Sequence, residues 1–296
     1  YKTLPDFKNI EFWFKSDVIE ELAKIKLAID DIEDEKVKNF FLVAFSETVR
    51  NVSNTRKGEF KLYRITDENL IKHDPNVFEE FKKIAEKNIQ GMKGYITNKK
   101  EHDSKPQLFD TKSSLPLESN SIDIIVTSPP YGDSRTTVAY GQFSRLALQW
   151  LGYDDAAALD KNLLGGMPSK ELDIKINSPT LKQILNQIAN KDVKRAREVL
   201  SFYEDFDNCV TELNRVMKKG GYVCFVVGNR TVKEINIPTD LIMTEMFKAK
   251  GKYKHITTYV RDIPFKRMPK ANSPTNEKGK IITTMNNEFI FILQKI

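Results

Sequence analysis

Cysteine is scarce: the 296 residues hold only Cys209 and Cys224. Two thiols exclude a disulfide framework and a four-cysteine zinc site, and Cys224, set in an apolar run, reads as a core residue. Long hydrophobic stretches are also missing. No run of 18 apolar residues occurs, and the opening Tyr1 to Phe14 is charged where a secretory leader is apolar. A soluble, cytoplasmic protein without a membrane span is expected on that ground. Internal repeats and low-complexity tracts are absent too, so the chain has the makings of one large domain or two smaller ones, with an ample core.

Against that background one stretch stands out, Ser121-Ile122-Asp123-Ile124-Ile125-Val126-Thr127-Ser128-Pro129-Pro130-Tyr131-Gly132. Ile122 to Val126 reads as a buried parallel strand, since the run is short, β-branched and apolar on both faces. Pro129 and Pro130 have no N–H to give to a sheet ladder, so the strand must end before them. A stiff loop at the carboxyl end of a strand follows, and in open α/β sheets that edge is where ligands sit. Taken alone, the Ser-Pro-Pro-Tyr tetrapeptide is equally a surface turn or a ligand for a proline-recognition module. Its place directly after a strand argues for a site.

The first hundred residues read as helical. Ser16 is the expected N-cap of a helix on which Val18, Leu22, Ile25, Ile29 and Ile32 share one face. A second apolar-rich segment runs from Val37 to Val49, and a third helix is expected to start at Asp74-Pro75 and to bury Phe78, Phe81 and Ile84. Between them Arg50, Arg56, Lys57, Lys61 and Arg64 form a basic connection, suited to phosphates or simply solvated. Beyond the proline loop, Tyr140, Phe143, Leu146, Leu148 and Leu151 predict a helix with Trp150 near its end. Residues 154–194 are polar and look like an insertion with one short helix capped by Ser178. A long helix from Val193 to Lys218 stops at Gly220 and Gly221. The last third alternates again: a strand from Tyr222 to Val227, a helix from Thr239 to Lys250 ended by Gly251, and strands over 254–261 and 288–294. The last two strands are joined without room for a crossover helix and are expected to be antiparallel.

Thr127-Ser128-Pro129-Pro130-Tyr131 resembles the catalytic loop of DNA amino-methyltransferases, which use S-adenosylmethionine to methylate the exocyclic nitrogen of cytosine or adenine. A parallel sheet ending in an antiparallel strand pair is also what these Rossmann-like enzymes show. The resemblance covers about residues 105–296, leaving 1–104 as a mainly helical region. It implies that Ser128, Pro129, Pro130 and Tyr131 are catalytic. Ser128 and the Pro129 carbonyl would accept the amino hydrogens, and Tyr131 would offer a ring to a base turned out of the duplex. It also implies cofactor contacts from Thr127, Ser128, the segment around Tyr140 and Asp110. The Tyr140 segment is equally a piece of core, and Asp110 equally the cap of a turn. A serine at the head of the loop goes mostly with cytosine N4, and aspartate or asparagine with adenine N6. Neither cysteine follows a proline, so the Pro-Cys nucleophile of the cytosine-C5 enzymes is absent.

Charge points to a partner. Residues 248–280 hold ten Lys or Arg against Asp262 and Glu277, a local charge of +8 where the whole chain carries +6. Pro264, Pro269 and Pro274 stiffen that segment. Arg261, Lys266, Arg267 and Lys270 are the residues expected to follow the phosphates of double-stranded DNA, a solvated charged loop being the plain alternative. One expected element is missing. The resembling family binds the methionine end of its cofactor with a Phe-x-Gly-x-Gly turn, and Gly91-Met92-Lys93-Gly94 and Leu164-Gly165-Gly166 match neither its spacing nor its preceding strand. The chain is therefore expected to be part of a longer or split enzyme, with the glycine-rich part upstream or on a separate chain. A catalytically incomplete DNA-binding subunit and an RNA methyltransferase are the competing readings.

Overall fold

Helices do dominate the first hundred residues. In the computed structural model, residues 5–58, 61–98, 103–132, 140–262, 271–272, 282–283 and 287–296 are described. They fall into two units, Tyr1–Pro106 with Ala139–Asp160, and Gln107–Val138 with Lys161–Ile296.

The first unit is all helix: α1 (Ile10–Trp13), α2 (Ser16–Asp30), α3 (Glu35–Val52), α4 (Asp67–Lys72), α5 (Val77–Asn98) and α6 (Tyr140–Trp150), with α7 (Leu159–Asn162) at the junction with the second unit. Val18, Leu22, Ile25 and Ile29 are buried along one face of α2, as their spacing requires. Ser16 is not the cap. It is the first helical residue, Lys15 holds the cap position without a side-chain bond, and it is Asp17 that accepts from the Val18 N–H at 2.9 Å. Asp34 caps α3 by accepting from the N–H groups of Lys36 and Val37. The helix expected from Asp74-Pro75 starts at Val77, because Asn76 supplies the oxygen that takes the Glu79 N–H. That shift buries Val77 along with Ile84, leaves Phe81 partly buried, and turns Phe78 outward. Trp150 is the hub, with Phe14 and Phe45 set edge-on to it at 5.8 and 6.0 Å. Of the basic connection, three arginines lie over aromatic rings: Arg50 over Phe143, Arg56 over Tyr63 and Arg64 over Phe12.

The second unit is built on a four-stranded sheet. Its elements are β1 (Ile122–Thr127), α8 (Pro179–Lys191), α9 (Val193–Val216), β2 (Met217–Gly228), the small hairpin β3 (Arg230–Val232) and β4 (Ile235–Ile237), α10 (Thr239–Lys250), β5 (Tyr253–Asp262), the short pair β6 (Ala271–Asn272) and β7 (Ile282–Thr283), and β8 (Asn287–Lys295). The sheet order is β1-β2-β8-β5. β1 and β2 are parallel, whereas β8 runs antiparallel to both β2 and β5, as the short connection between the last two strands demands.

Two boundaries moved for one reason. The strand expected from Tyr222 begins at Met217, and the helix expected to reach Lys218 ends at Val216, because Met217 already pairs with Ile122. The register then slips to Ile124 against Tyr222. Gly220 takes a φ of 82° in that bulge, and a Cβ on Gly221 would sit 2.8 Å from the Asp123 carbonyl.

One face of the sheet carries the core. Val223, Phe225, Val227, Phe291 and Leu293 are buried in one cluster with Leu181, Leu185 and Ile188 of α8, and with residues of α9 and α10. Ser178 caps α8 by accepting from the Leu181 N–H. A helix that reads from its polar surroundings as part of an insertion thus supplies core residues. On the opposite face, Ile124 is 57% and Val126 69% exposed, next to Tyr222 and half-buried Cys224. β1 is therefore parallel as expected, but it is not buried on both faces among the described residues, and Cys224 is not a core residue.

Candidate active site

β1 ends at Thr127, and the two prolines then hold the backbone away from any further ladder. Thr127 and Ser128 are exposed, Pro129, Pro130 and Tyr131 half-buried, and Gly132 buried. The four strands bring one edge of the sheet together here. Thr127 is opposite Phe225, Gly228 is opposite Glu288, and Glu288 is opposite Arg261. The first residues of β8 and the last of β5 therefore lie at the carboxyl ends of β1 and β2.

Side chains connect across that edge. The Tyr131 hydroxyl donates to Glu288 Oε1 at 2.8 Å and lies 3.2 Å from Ser128 Oγ. The other carboxylate oxygen accepts from Arg261, through Nε at 3.0 Å and through a terminal guanidinium nitrogen. Burial pushes the Glu288 carboxyl up, but hydrogen bonds from Arg261 and Tyr131 outweigh it and hold the group below its ordinary value. Arg261 gains in turn from the hydrogen bonds to Glu288, which raise its pKa. Behind the loop, Tyr131, Gly132, Tyr203, Arg230 and Ile237 help line a cavity of about 10 Å³, room for one water molecule at most.

Of the other residues singled out from sequence, Asp110 is exposed and its Oδ1 accepts from the Lys112 N–H at 3.0 Å, so it does cap a turn. Tyr140, 47% exposed, begins α6 in the helical unit, where the Gly141 N–H donates to Asp160 at 2.8 Å. Arg261 faces solvent over more than half its side chain while paired with Glu288. Lys266, Arg267 and Lys270 lie outside the described residues. Glu288 was missed. A carboxylate heading the otherwise apolar strand Phe289-Ile290-Phe291-Ile292-Leu293 was the signal available, since such a group is retained only with partners. Burial pushes the Cys209 thiol up to about 12, which leaves it protonated and inert.

These residues do not by themselves enclose a cofactor. A cofactor-sized ligand needs roughly 300 Å³ or more of concave space, and the cavity behind the loop offers about 10 Å³. What the described residues provide at the loop is one wall: exposed hydroxyls at Thr127 and Ser128 beside the exposed apolar surface of Ile124 and Val126.

An α/β sheet whose proline-stiffened loop emerges at the carboxyl edge, with serine and tyrosine hydroxyls side by side, is the arrangement that the resemblance to DNA amino-methyltransferases implies. Residues 122–295 match the model of the N6/N4 methyltransferase family, described as DNA methylase. Over 307 aligned residues the chain is 48% identical to the type II methyltransferase M.MvaI of Kocuria varians, covering 98% of this chain and 67% of that protein. This chain belongs to that family, the S-adenosylmethionine-dependent DNA amino-methyltransferases. Solved structures of a protein described as a DNA modification methylase from Thermus thermophilus align at 18% identity with a TM-score of 0.32, over 64% of this chain and 52% of that one. The form of that protein complexed with S-adenosyl-L-methionine aligns at 17% and 0.30, over 61% and 50%. The chain thus spans about half the length of those structures and two thirds of M.MvaI. Among the described residues, no helix is long and apolar enough to cross a membrane.

Proposed function

We propose that this chain is the catalytic portion of a site-specific type II DNA methyltransferase of a restriction-modification system, which methylates cytosine N4 in preference to adenine N6. The observation that carries the reading is the exposed Ser128 hydroxyl at the carboxyl end of β1, beside a Tyr131 hydroxyl fixed by Glu288. An exocyclic amine is a poor nucleophile because its lone pair is delocalised into the ring. Acceptors on its two hydrogens, the Ser128 side chain and the Pro129 carbonyl, draw the nitrogen toward tetrahedral geometry and localise that pair. Adjacent prolines spare these acceptors any reorganisation as charge develops. The Tyr131 ring is the stacking platform for the extruded base. S-adenosylmethionine supplies the methyl group. In this reading Thr127 and Ser128 form part of the wall that would hold it, with Asp110 as a further contact.

The remaining walls come from residues beyond those described, in this chain or in the rest of a longer protein. Parallel strands are ordinarily covered on both faces, yet Ile124 and Val126 are bare among the described residues, and M.MvaI has a third of its length with no counterpart here. A single longer chain accounts for both facts more simply than a separate subunit. The same openness favours a second reading, a DNA-binding subunit that never turns over. Mass spectrometry of nucleosides from DNA incubated with the full-length protein and S-adenosylmethionine separates these. N4-methylcytosine supports the proposal, N6-methyladenine alone overturns the base assignment, and no methylated base with intact duplex binding leaves the second reading.

A further inference from the structure

We propose that Glu288 is a positioning residue that fixes the order of protons in the loop, so that Ser128 meets the substrate amine as an acceptor. The inference rests on the reading above, in which Ser128 receives an amino hydrogen.

A serine hydroxyl has one proton and two acceptor lone pairs, and nothing in its own chemistry decides which it turns toward a ligand. An amine offers only hydrogens at the positions Ser128 must meet. If the Ser128 proton points at the amine, the contact is repulsive and the nitrogen lone pair stays delocalised. The direction of one O–H bond therefore decides whether the loop works.

The neighbours set that direction. An ionised carboxylate accepts and cannot donate, and the Tyr131 hydroxyl has a single proton, which it gives to Glu288 Oε1 at 2.8 Å. Toward Ser128, 3.2 Å away, Tyr131 can then only accept. The Ser128 proton is drawn to Tyr131, and both Ser128 lone pairs face outward. Were Glu288 neutral, it could donate to Tyr131, and the Tyr131 proton would swing to Ser128 and reverse the array. Arg261 guards against this. It lies directly opposite Glu288 in the β5–β8 register and holds the second carboxylate oxygen through two nitrogens. Arg261 acts through Glu288, and Glu288 through Tyr131; neither touches the base.

The test is single-turnover methylation of a cognate duplex by the full-length protein carrying Glu288→Gln, Tyr131→Phe, or both. A carboxamide can donate where the carboxylate could not, and phenylalanine keeps the stacking ring while removing the relay. Each single variant is expected to slow methyl transfer about tenfold or more, the loss of one hydrogen bond to a charged group, with duplex and S-adenosylmethionine affinities unchanged. The double variant is expected to be no slower than the slower single, because both changes break one chain. A wild-type rate in Glu288→Gln, or losses that multiply in the double variant, overturns the proposal. Should Glu288→Gln fail to fold, Tyr131→Phe decides alone, and a wild-type rate there is fatal to it. Ser128→Ala separates the two layers of inference, since an unchanged rate in that variant removes the reading of Ser128 itself, whatever Glu288 does.

Discussion

Glu212 and Arg215, one turn apart near the end of α9, clasp the segment that leads into β1. Glu212 accepts the Leu115 N–H at 2.9 Å, while Arg215 donates to the Leu115 and Leu117 carbonyls at 3.0 and 2.8 Å and to Glu212 itself. The strand carrying the loop is thereby tied to the helix before it enters the sheet. Hydrogen bonds from Arg215 and from the Leu115 N–H hold the Glu212 carboxyl below its ordinary value. A carboxyl depressed in the folded state stabilises the fold above its unfolded pKa, and this contribution is lost as pH falls through the folded value. Glu212→Gln should therefore lower the melting temperature at neutral pH, and the gap to wild type should close in acid. A gap that stays constant from pH 7 to pH 3 would show that the clasp contributes no ionic stabilisation.

Tyr131→Ala in the full-length enzyme removes the stacking platform along with the relay. Base stacking is worth about 1–3 kcal/mol, so turnover should fall roughly ten- to a hundredfold while S-adenosylmethionine binding changes little. Stopped-flow or single-turnover assays read the first quantity and calorimetry the second. Wild-type rates in both Tyr131→Ala and Ser128→Ala would remove the loop from the chemistry.

Residues 1–296 alone should bind S-adenosylmethionine weakly or not at all, since around the loop the described residues offer one wall and a cavity of about 10 Å³. Calorimetry on the isolated 296 residues checks this. Micromolar affinity would mean that the cofactor is enclosed by other residues of this chain.

Neutralising Lys266, Arg267 and Lys270 together should weaken duplex binding for every sequence alike. The slope of affinity against salt should flatten by about 0.9 for each phosphate that the protein no longer neutralises. Binding at several salt concentrations measures it, and an unchanged slope would assign those charges to bulk solvent.

Periodicity located α2 and α9, because each buries a regular face whose residues are visible in order; Val18, Leu22, Ile25 and Ile29 are the clearest case. The antiparallel end of the sheet followed from the lack of room for a crossover helix between β5 and β8. What stayed hidden depended on partners distant in the chain. Met217 became strand because Ile122 was there to pair with it. The exposure of Ile124 and Val126 reflects what does or does not cover a face, and composition is blind to that. Glu288 lies 157 residues from Tyr131, so no local pattern could join them, although the proline loop itself was legible from five residues.

β8, the final strand of these residues to be synthesised, occupies an interior place in the sheet between β2 and β5. On a ribosome, β1 and β2 can pair as soon as both have emerged, but β5 has no partner until residues 287–295 arrive to bridge it. Glu288 comes with that strand. The nascent protein thus passes through a stage in which the half-made sheet exposes two unpaired edges, the condition under which chains associate wrongly, while the serine and tyrosine of its loop are still without their carboxylate. The hydrogen bond between Tyr131 and Glu288 can form only once β8 has taken its place between β2 and β5.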